Sequence, residues 1–345
     1  MTFLKSCQIS NLILPLRRME RKLKIGVLGA GHLGKIHIKC ILSSAHLSLV
    51  GFYDADAQRA ADIAVELGIT AFSTPEALIL ASEAVDIVTP TVTHFALAKI
   101  AISLGRAVFI EKPLTHTVAE AAELVALSRE KGVKVQVGHV ERFNPAFLSL
   151  HGATLQPMFI EAHRLAPFNP RGTDVSVVLD LMIHDIDLIL HIVGGEIKQI
   201  HASGVSVVSA SPDIANARIE FENGCVANLT ASRMSLKQMR KVRLFQQDAY
   251  ISLDFLEKTS QIIRLLDKNA ENTEGGYEIE TAQGTKIIDV KMPEPLTVNA
   301  IQMELETFAE SIFTDTTPRV TIEDGYKALK VAHQIIEAIG DTTLS

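Results

Sequence analysis

Cysteine is scarce in this chain, and the three that occur, Cys7, Cys40 and Cys225, stand far apart. Three scattered thiols build neither a disulfide framework nor a thiolate zinc site, and the simpler setting is a reducing cytoplasm. Long apolar runs are missing too, since none approaches the ~20 residues a membrane span needs. Nor is there an excess of positive charge. The 33 Lys and Arg against 40 Asp and Glu leave a formal net charge of −7, which argues against nucleic acid or an anionic membrane as the main partner. Internal repeats and low-complexity tracts are also lacking, which removes solenoids and linker-like chains.

What is present is an ordinary globular balance. The 345 residues are 47% hydrophobic and 21% charged, enough for roughly two domains of ~150 residues. The opening MTFLKSCQISNLILPLRRMERK has a short apolar patch, Leu12 to Leu16, interrupted by Asn11 and Pro15. Arg17 and Arg18 follow that patch, the reverse of a secretory signal's charge order. Residues 1–21 are expected to be a disordered tail, or an over-long start ahead of a fold beginning near Lys22.

From residue 22 to 141 short apolar runs alternate with helical patterns. The runs are LKIGVLG, LSLVGFYD, VDIVTP, AVFIEK and VKVQVG. Strands alternating with helices predict a doubly wound parallel sheet of the Rossmann type, and runs apolar throughout suit strands covered on both faces. Over 142–315 extended runs dominate, with the hairpin signal Asn223-Gly224 in FENGCV. That portion is expected to be an α+β domain with an open, mainly antiparallel sheet, and 316–345 a closing helical segment.

In KIGVLGAGHLGKIHI, Gly29, Gly31 and Gly34 follow a strand and open a helix. Such glycines permit a tight turn, a close approach of backbone to a pyrophosphate, and close helix–strand packing. Asp54 ends the second strand, 20 residues beyond Gly34, where a carboxylate suits the ribose hydroxyls of NAD and repels the 2′-phosphate of NADP. Two further segments sit at strand ends, where ligands of open α/β sheets gather: TPTVTH, 89–94, and EKPLTH, 111–116. Lys112 there could stabilise the oxygen of a reacting hydroxyl, or be a plain surface lysine. Cofactor contacts are expected from Gly29, Gly31, His32, Leu33, Gly34, Asp54, Thr89, Pro90, His94, Glu111 and Lys112.

The stretch VVLDLMIHDIDLILHIV, 177–193, reads as a largely buried helix. Asp180, His184, Asp187 and His191 fall on one stripe of it, and Asp185 lies off the stripe, suited to a structural salt bridge. A metal held by His184, Asp187 and His191 is geometrically conceivable.

GVLGAGHLGKIH, TPTVTH, EKPLT, VGHVERFNP and LDLMIHDIDLIL occur in this order. Together they resemble the glucose–fructose oxidoreductase, inositol dehydrogenase and MocA family (Gfo/Idh/MocA), over about 22–339. The resemblance implies NAD(P)-linked oxidation of a sugar or cyclitol hydroxyl and a homo-oligomer, dimer or tetramer; it offers no support for a metal. It implies Lys112, Asp180 and His184 as catalytic residues: His184 as the base, Asp180 orienting its ring, Lys112 holding the oxygen. Taken alone, His184 would be a satisfied core histidine. Within the family the chain is most similar to the UDP-N-acetylglucosamine 3-dehydrogenase branch, which makes a 3-keto sugar for lipid A or a related glycan. Arg142, Arg164 and Arg171 could then bind the diphosphate, and Asn144 and Asn169 the sugar, with His184 on the reacting hydroxyl. Each arginine could equally be a structural ion-pair residue and each asparagine a turn cap. Inositol, a free sugar or another nucleotide sugar are the alternative substrates, and a non-catalytic NAD- or sugar-sensing regulator the alternative function.

Overall fold

The computed structural model describes residues 7–8, 21–169, 175–209, 211–267, 276–281, 284–294 and 296–342. Most of the expected tail, and Arg171, lie outside the described residues. After a two-residue strand β1 (Cys7–Gln8), the five apolar runs form β2 (Leu23–Leu28), β3 (Leu47–Tyr53), β4 (Ala84–Ile87), β5 (Ala107–Glu111) and β6 (Val135–Gly138). They hydrogen-bond in the order β3-β2-β4-β5-β6, every pair parallel. The order reverses at β2, so the loop after β2 sits at the switch point where such sheets take ligands.

The connecting helices are α1 (His32–Ser43), α2 (Ala57–Leu67), α3 (Pro75–Ala81), α4 (His94–Ser103) and α5 (Val118–Lys131). Their ends follow from local chemistry. Thr117 and Glu120 close a reciprocal capping box on α5, and Gly132 ends it in the left-handed region at φ 63°. The short α3 escapes a periodicity reading, yet Thr74 Oγ1 caps it and Pro75 opens it.

Beyond β6, α6 (Pro145–Leu148) and β7 (Thr154–Leu155) lead into the second sheet, and β7 pairs with β1. That sheet contains β8 (Phe159–Leu165), then, after α7 (Ile183–Val193), β9 (Ile197–Val205), β10 (Ile214–Phe221), β11 (Val226–Ser232) and β12 (Met239–Phe245). It is completed by β13 (Ala249–Asp254), β14 (Thr259–Asp267), β15 (Tyr277–Thr281) and β16 (Gly284–Lys291). The order is β15-β16-β14-β13-β12-β8-β11-β10-β9. Only β8 and β11 run parallel among the described pairs; the rest are antiparallel. The Asn223-Gly224 turn joins β10 to β11, with Gly224 at φ 87°. Burial alternates along β8, β10 and β11, so one face of the sheet is the packed one.

Two helices close the chain, α8 (Ala300–Phe313) and α9 (Ile322–Thr342). Two compact units result. The parallel-sheet unit holds Leu14–Phe143 and Asn299–Lys330; the antiparallel-sheet unit holds Met1–Ile13, Asn144–Val298 and Val331–Ser345. Helix α8 therefore packs with the parallel sheet, although its sequence position follows the second sheet. Leu305, Phe308 and Ala309 join Ile25, Val27, Ile38, Phe52 and Phe109 in one apolar cluster. The Phe308 ring meets Phe109 edge-on at 6.0 Å.

Phe308→Ala should cost about 3–5 kcal/mol of stability, measured by urea unfolding. A loss below about 1 kcal/mol would remove α8 from that core.

Candidate active site

The glycine-rich turn between β2 and α1 does three different things. Gly29 sits at φ 96°, and a Cβ there would meet Val88 O at 2.8 Å and Thr89 N at 2.9 Å. Gly34 lets α1 press onto the turn, because its Cβ would lie 2.1 Å from Gly29 O. Around Gly31 nothing lies within 4 Å of a Cβ position. Gly31 is also the N-cap of α1 and offers no side chain to the first helical amides. Open space, free amides and the positive end of a helix dipole make a cradle that fits a pyrophosphate. His32 and Leu33 are exposed in the first turn of α1, beside it.

Asp54, at the end of β3, accepts Ala30 N at 2.8 Å and Asp56 N at 2.9 Å. Its carboxylate is thereby held against the glycine turn. Arg59 reaches back from α2 to Asp54 at 3.1 Å and to Asp56 at 3.1 Å. Its charge is already matched by two carboxylates.

The segment after β4 folds into a single-turn 3₁₀ helix, Thr91–Thr93. Thr93 Oγ1 lies 2.7 Å from Thr89 Oγ1 and 2.8 Å from Pro90 O, and its single proton serves one of them at a time. His94, one of the expected cofactor contacts, faces backbone carbonyls. It is buried, with Nε2 2.8 Å from Thr89 O and Nδ1 3.0 Å from Pro113 O. Burial holds its pKa below the usual histidine range, so the neutral ring donates to one of these carbonyls at a time. His94 ties the turn after β4 to the turn after β5 and leaves no nitrogen for a ligand. Lys112 is half-buried at the end of β5, its N–H donating to Glu111 Oε2 at 3.1 Å.

Glu111, another expected cofactor contact, belongs to an interior group. Its carboxylate turns inward, lying beside Gly138, and sits 3.3 Å from His37 Nε2. His37 Nδ1 in turn lies 2.9 Å from Asp86 Oδ2. Burial opposes a charge on His37, but Asp86 and Glu111 outweigh it and hold the imidazole well above its ordinary range. Glu304 of α8 belongs to the same group; burial, then the nearby Glu111 charge, pushes its carboxyl well above the usual carboxylate range. The sequence signal was available in VDIV: an Asp inside a strand buried on both faces must face a partner.

In the antiparallel-sheet unit the expected single helix is not uniform. Val178–Met182 is a π-helical turn, followed by α7 from Ile183. Asp180 lies in the π turn and His184 in the first turn of α7, both half-buried. π turns concentrate at functional sites. Asp185 makes the structural pair expected of it: its two oxygens take Arg164 Nη2 at 2.8 Å and Nε at 3.0 Å. Both residues are 3% exposed. Arg164 is thus paired in the interior of its unit. Arg142 is also buried, with Nη1 3.5 Å from Asp324 in the parallel-sheet unit. Asn144 caps α6, accepting from Ala146 N at 3.0 Å, and donates to Phe255 O at 3.0 Å. Asn169 is exposed. Asp187 is buried, and the His191 ring rests on Phe147 at 6.0 Å. A cavity of about 560 Å³ in this unit is lined by Ile192, Asn223 and Gln246 among others, at the far end of α7 from His184.

Comparison with known proteins follows the same division of the chain. The Gfo/Idh/MocA model, described as an oxidoreductase family with an NAD-binding Rossmann fold, matches residues 23–139, and the Gfo/Idh/MocA C-terminal domain model matches 150–251. The UDP-N-acetylglucosamine 3-dehydrogenase of Acidithiobacillus ferrooxidans is 43% identical over 241 residues, 70% of this chain and 76% of that protein. Its solved structure superposes with a TM-score of 0.83 at 35% identity, covering 93% of this chain and 99% of the other. A scyllo-inositol 2-dehydrogenase (NAD(+)) of Bacillus subtilis is 32% identical over 240 residues, 63% of this chain and 69% of that protein. The fold is shared with Lactobacillus casei scyllo-inositol dehydrogenase holding NAD(H) and scyllo-inositol, at a TM-score of 0.74 and 22% identity, covering 93% of this chain and 98% of the other.

Truncating one member of a buried ion pair strands the other charge, so Arg164→Ala should lower stability by about 3–5 kcal/mol. Denaturant unfolding checks this. A near-neutral result would return Arg164 to the set of ligand-binding candidates.

Proposed function

The chain belongs to the Gfo/Idh/MocA oxidoreductase family, and from that premise we propose that it is an NAD-dependent dehydrogenase oxidising the C3 hydroxyl of UDP-N-acetylglucosamine to a ketone. The observation that carries the substrate is the 43% identity to a 3-dehydrogenase of that nucleotide sugar. The glycine turn at Gly29, Gly31 and Gly34 would hold the pyrophosphate, and Asp54 the adenosine ribose. Bound NAD supplies the acceptor for the hydride that leaves carbon.

The rest of the work falls to side chains. His184 takes the hydroxyl proton, a transfer to which an imidazole is suited. Asp180, four residues earlier in the π turn, orients that ring and favours its charged form. Lys112 donates to the substrate oxygen and stabilises the negative charge that develops on it. Arg142 and Arg164 lie in interior ion pairs, and Arg171 is a further sequence candidate for the diphosphate. Those pairs support one competing reading, a neutral polyol such as inositol, in keeping with the 32% identical scyllo-inositol 2-dehydrogenase.

A screen of UDP-N-acetylglucosamine, UDP-glucose, the corresponding uronic acids and inositol, following NADH absorbance with a carbonyl trap, decides between them. UDP-N-acetylglucosamine should give the highest kcat/KM; preference for inositol would replace the first reading with the second. His184→Ala should reduce turnover by about 10²–10⁴-fold while NAD affinity by calorimetry stays at the wild-type value. Full activity in that variant would show that His184 is not the base. Calorimetry should also give NAD tighter than NADP, because a 2′-phosphate would meet Asp54 and find Arg59 already paired. Equal or reversed affinities would sink that assignment.

A further inference from the structure

The interior of the parallel-sheet unit holds a set of groups that hydride transfer does not use. His37 comes from α1, Asp86 from β4, Glu111 from β5 and Glu304 from α8, and all four are buried. Among the described residues, no lysine or arginine is paired with any of them. Glu304 is 0% exposed, and neither of its carboxylate oxygens has a hydrogen-bond partner. His37 Nε2 is likewise without a hydrogen bond, because the Glu111 oxygen 3.3 Å away is not aligned with it. A buried carboxylate with no partner costs several kcal/mol, so Glu304, set beside a ring nitrogen and a second carboxylate, calls for a proton or a cation.

The geometry says what that is. Nε2 of His37, an oxygen of Glu111 and an oxygen of Glu304 all lie within 4.8 Å of one another. We propose that these three atoms are ligands of a divalent transition-metal ion inside the parallel-sheet unit, with Asp86 as the outer carboxylate that orients the imidazole. Asp86 accepts from Nδ1–H and thereby leaves the Nε2 lone pair facing the two glutamates, the arrangement found behind most metal-bound histidines. A neutral imidazole and two carboxylates balance a 2+ charge. The nitrogen ligand favours zinc or manganese over magnesium or calcium, which take oxygen shells. Metal–ligand distances of ~2.0–2.2 Å require ligand atoms ~3.3 Å apart; Nε2 and Glu111 already meet that spacing. Glu304, whose oxygen lies within 4.8 Å of both, closes the remaining gap by a small side-chain movement.

The ion would join three elements: the helix that opens at the glycine turn, the strand that ends at Glu111, and α8. Its role is to brace the floor beneath the dinucleotide cradle, and it stands whether or not the sugar assignment does.

The test uses the full-length protein, purified without a metal-affinity step. Elemental analysis after dialysis should find about one equivalent of zinc or manganese per chain. Chelator-treated protein should melt at a lower temperature and recover on adding Zn2+ or Mn2+ but not Mg2+. Glu304→Gln keeps the side-chain shape and removes a ligand charge, so it should bind the ion at least about tenfold more weakly by calorimetry. Asp86→Asn should weaken it as well. Wild-type protein that carries no metal and melts identically with and without Zn2+ or Mn2+ overturns the proposal, and assigns protons to His37 and Glu304 instead. So does Glu304→Gln protein that binds the ion as tightly as wild type. The wild-type measurements decide even if a variant fails to fold.

Discussion

The parallel-sheet unit depends on one contact too short for any side chain. Gly34 lies so close to the carbonyl of Gly29 that even a methyl group would collide with it. That approach sets the first turn of α1 directly on the end of β2. The free amides at Gly31, the carboxylate of Asp54 tied to Ala30, and the path of His37 into the sheet interior all follow from where α1 begins. A shift of α1 by the width of one methyl would disturb the cradle and the interior cluster together.

The two units treat buried charge in opposite ways. Arg164 and Asp185 form a bidentate pair whose geometry uses the guanidinium fork fully. Its coulombic gain offsets the cost of leaving water, and the pair locks β8 to α7. The cluster of His37, Asp86, Glu111 and Glu304 has more acids than bases and leaves oxygens without donors. In a low-dielectric interior such a deficit is met by protons or by a cation; packing cannot meet it.

Much of this was legible in the residues. The five parallel strands are visible because strands covered on both faces must be apolar along their whole length, and the three glycine roles are visible because strand and helix flank them. The ion pairs of Arg142 and Arg164 were not legible, because a guanidinium in a cleft and one in a core look alike in sequence. Arg164 still carried a clue: it shares the inward period of Ile160 and Ala162 on β8, which places it on the packed face. His94 and Glu111 sit in motif segments whose backbone lies at strand ends, but their side chains turn to carbonyls and to the interior, a choice that rotamers make and spacing does not. Glu304 could not be found at all. It joins the cluster only because α8 returns to a sheet that the chain left at β6, and no local pattern encodes that return.

The π turn at Val178–Met182 has a consequence for how this region tolerates change in length. A π turn holds one residue more than the α-helical path it replaces, so losing any single residue there could be absorbed by reverting to an ordinary helix. The chain would remain helical and apolar. Side chains on either side of the turn would keep their phase about the axis, because the widened turn is what takes up the extra residue. If the deletion falls between Asp180 and His184, their separation drops from four residues to three while the flanking side chains stay in place. Substitution scans of this segment would miss that dependence; a deletion scan, one residue at a time, tests the spacing directly.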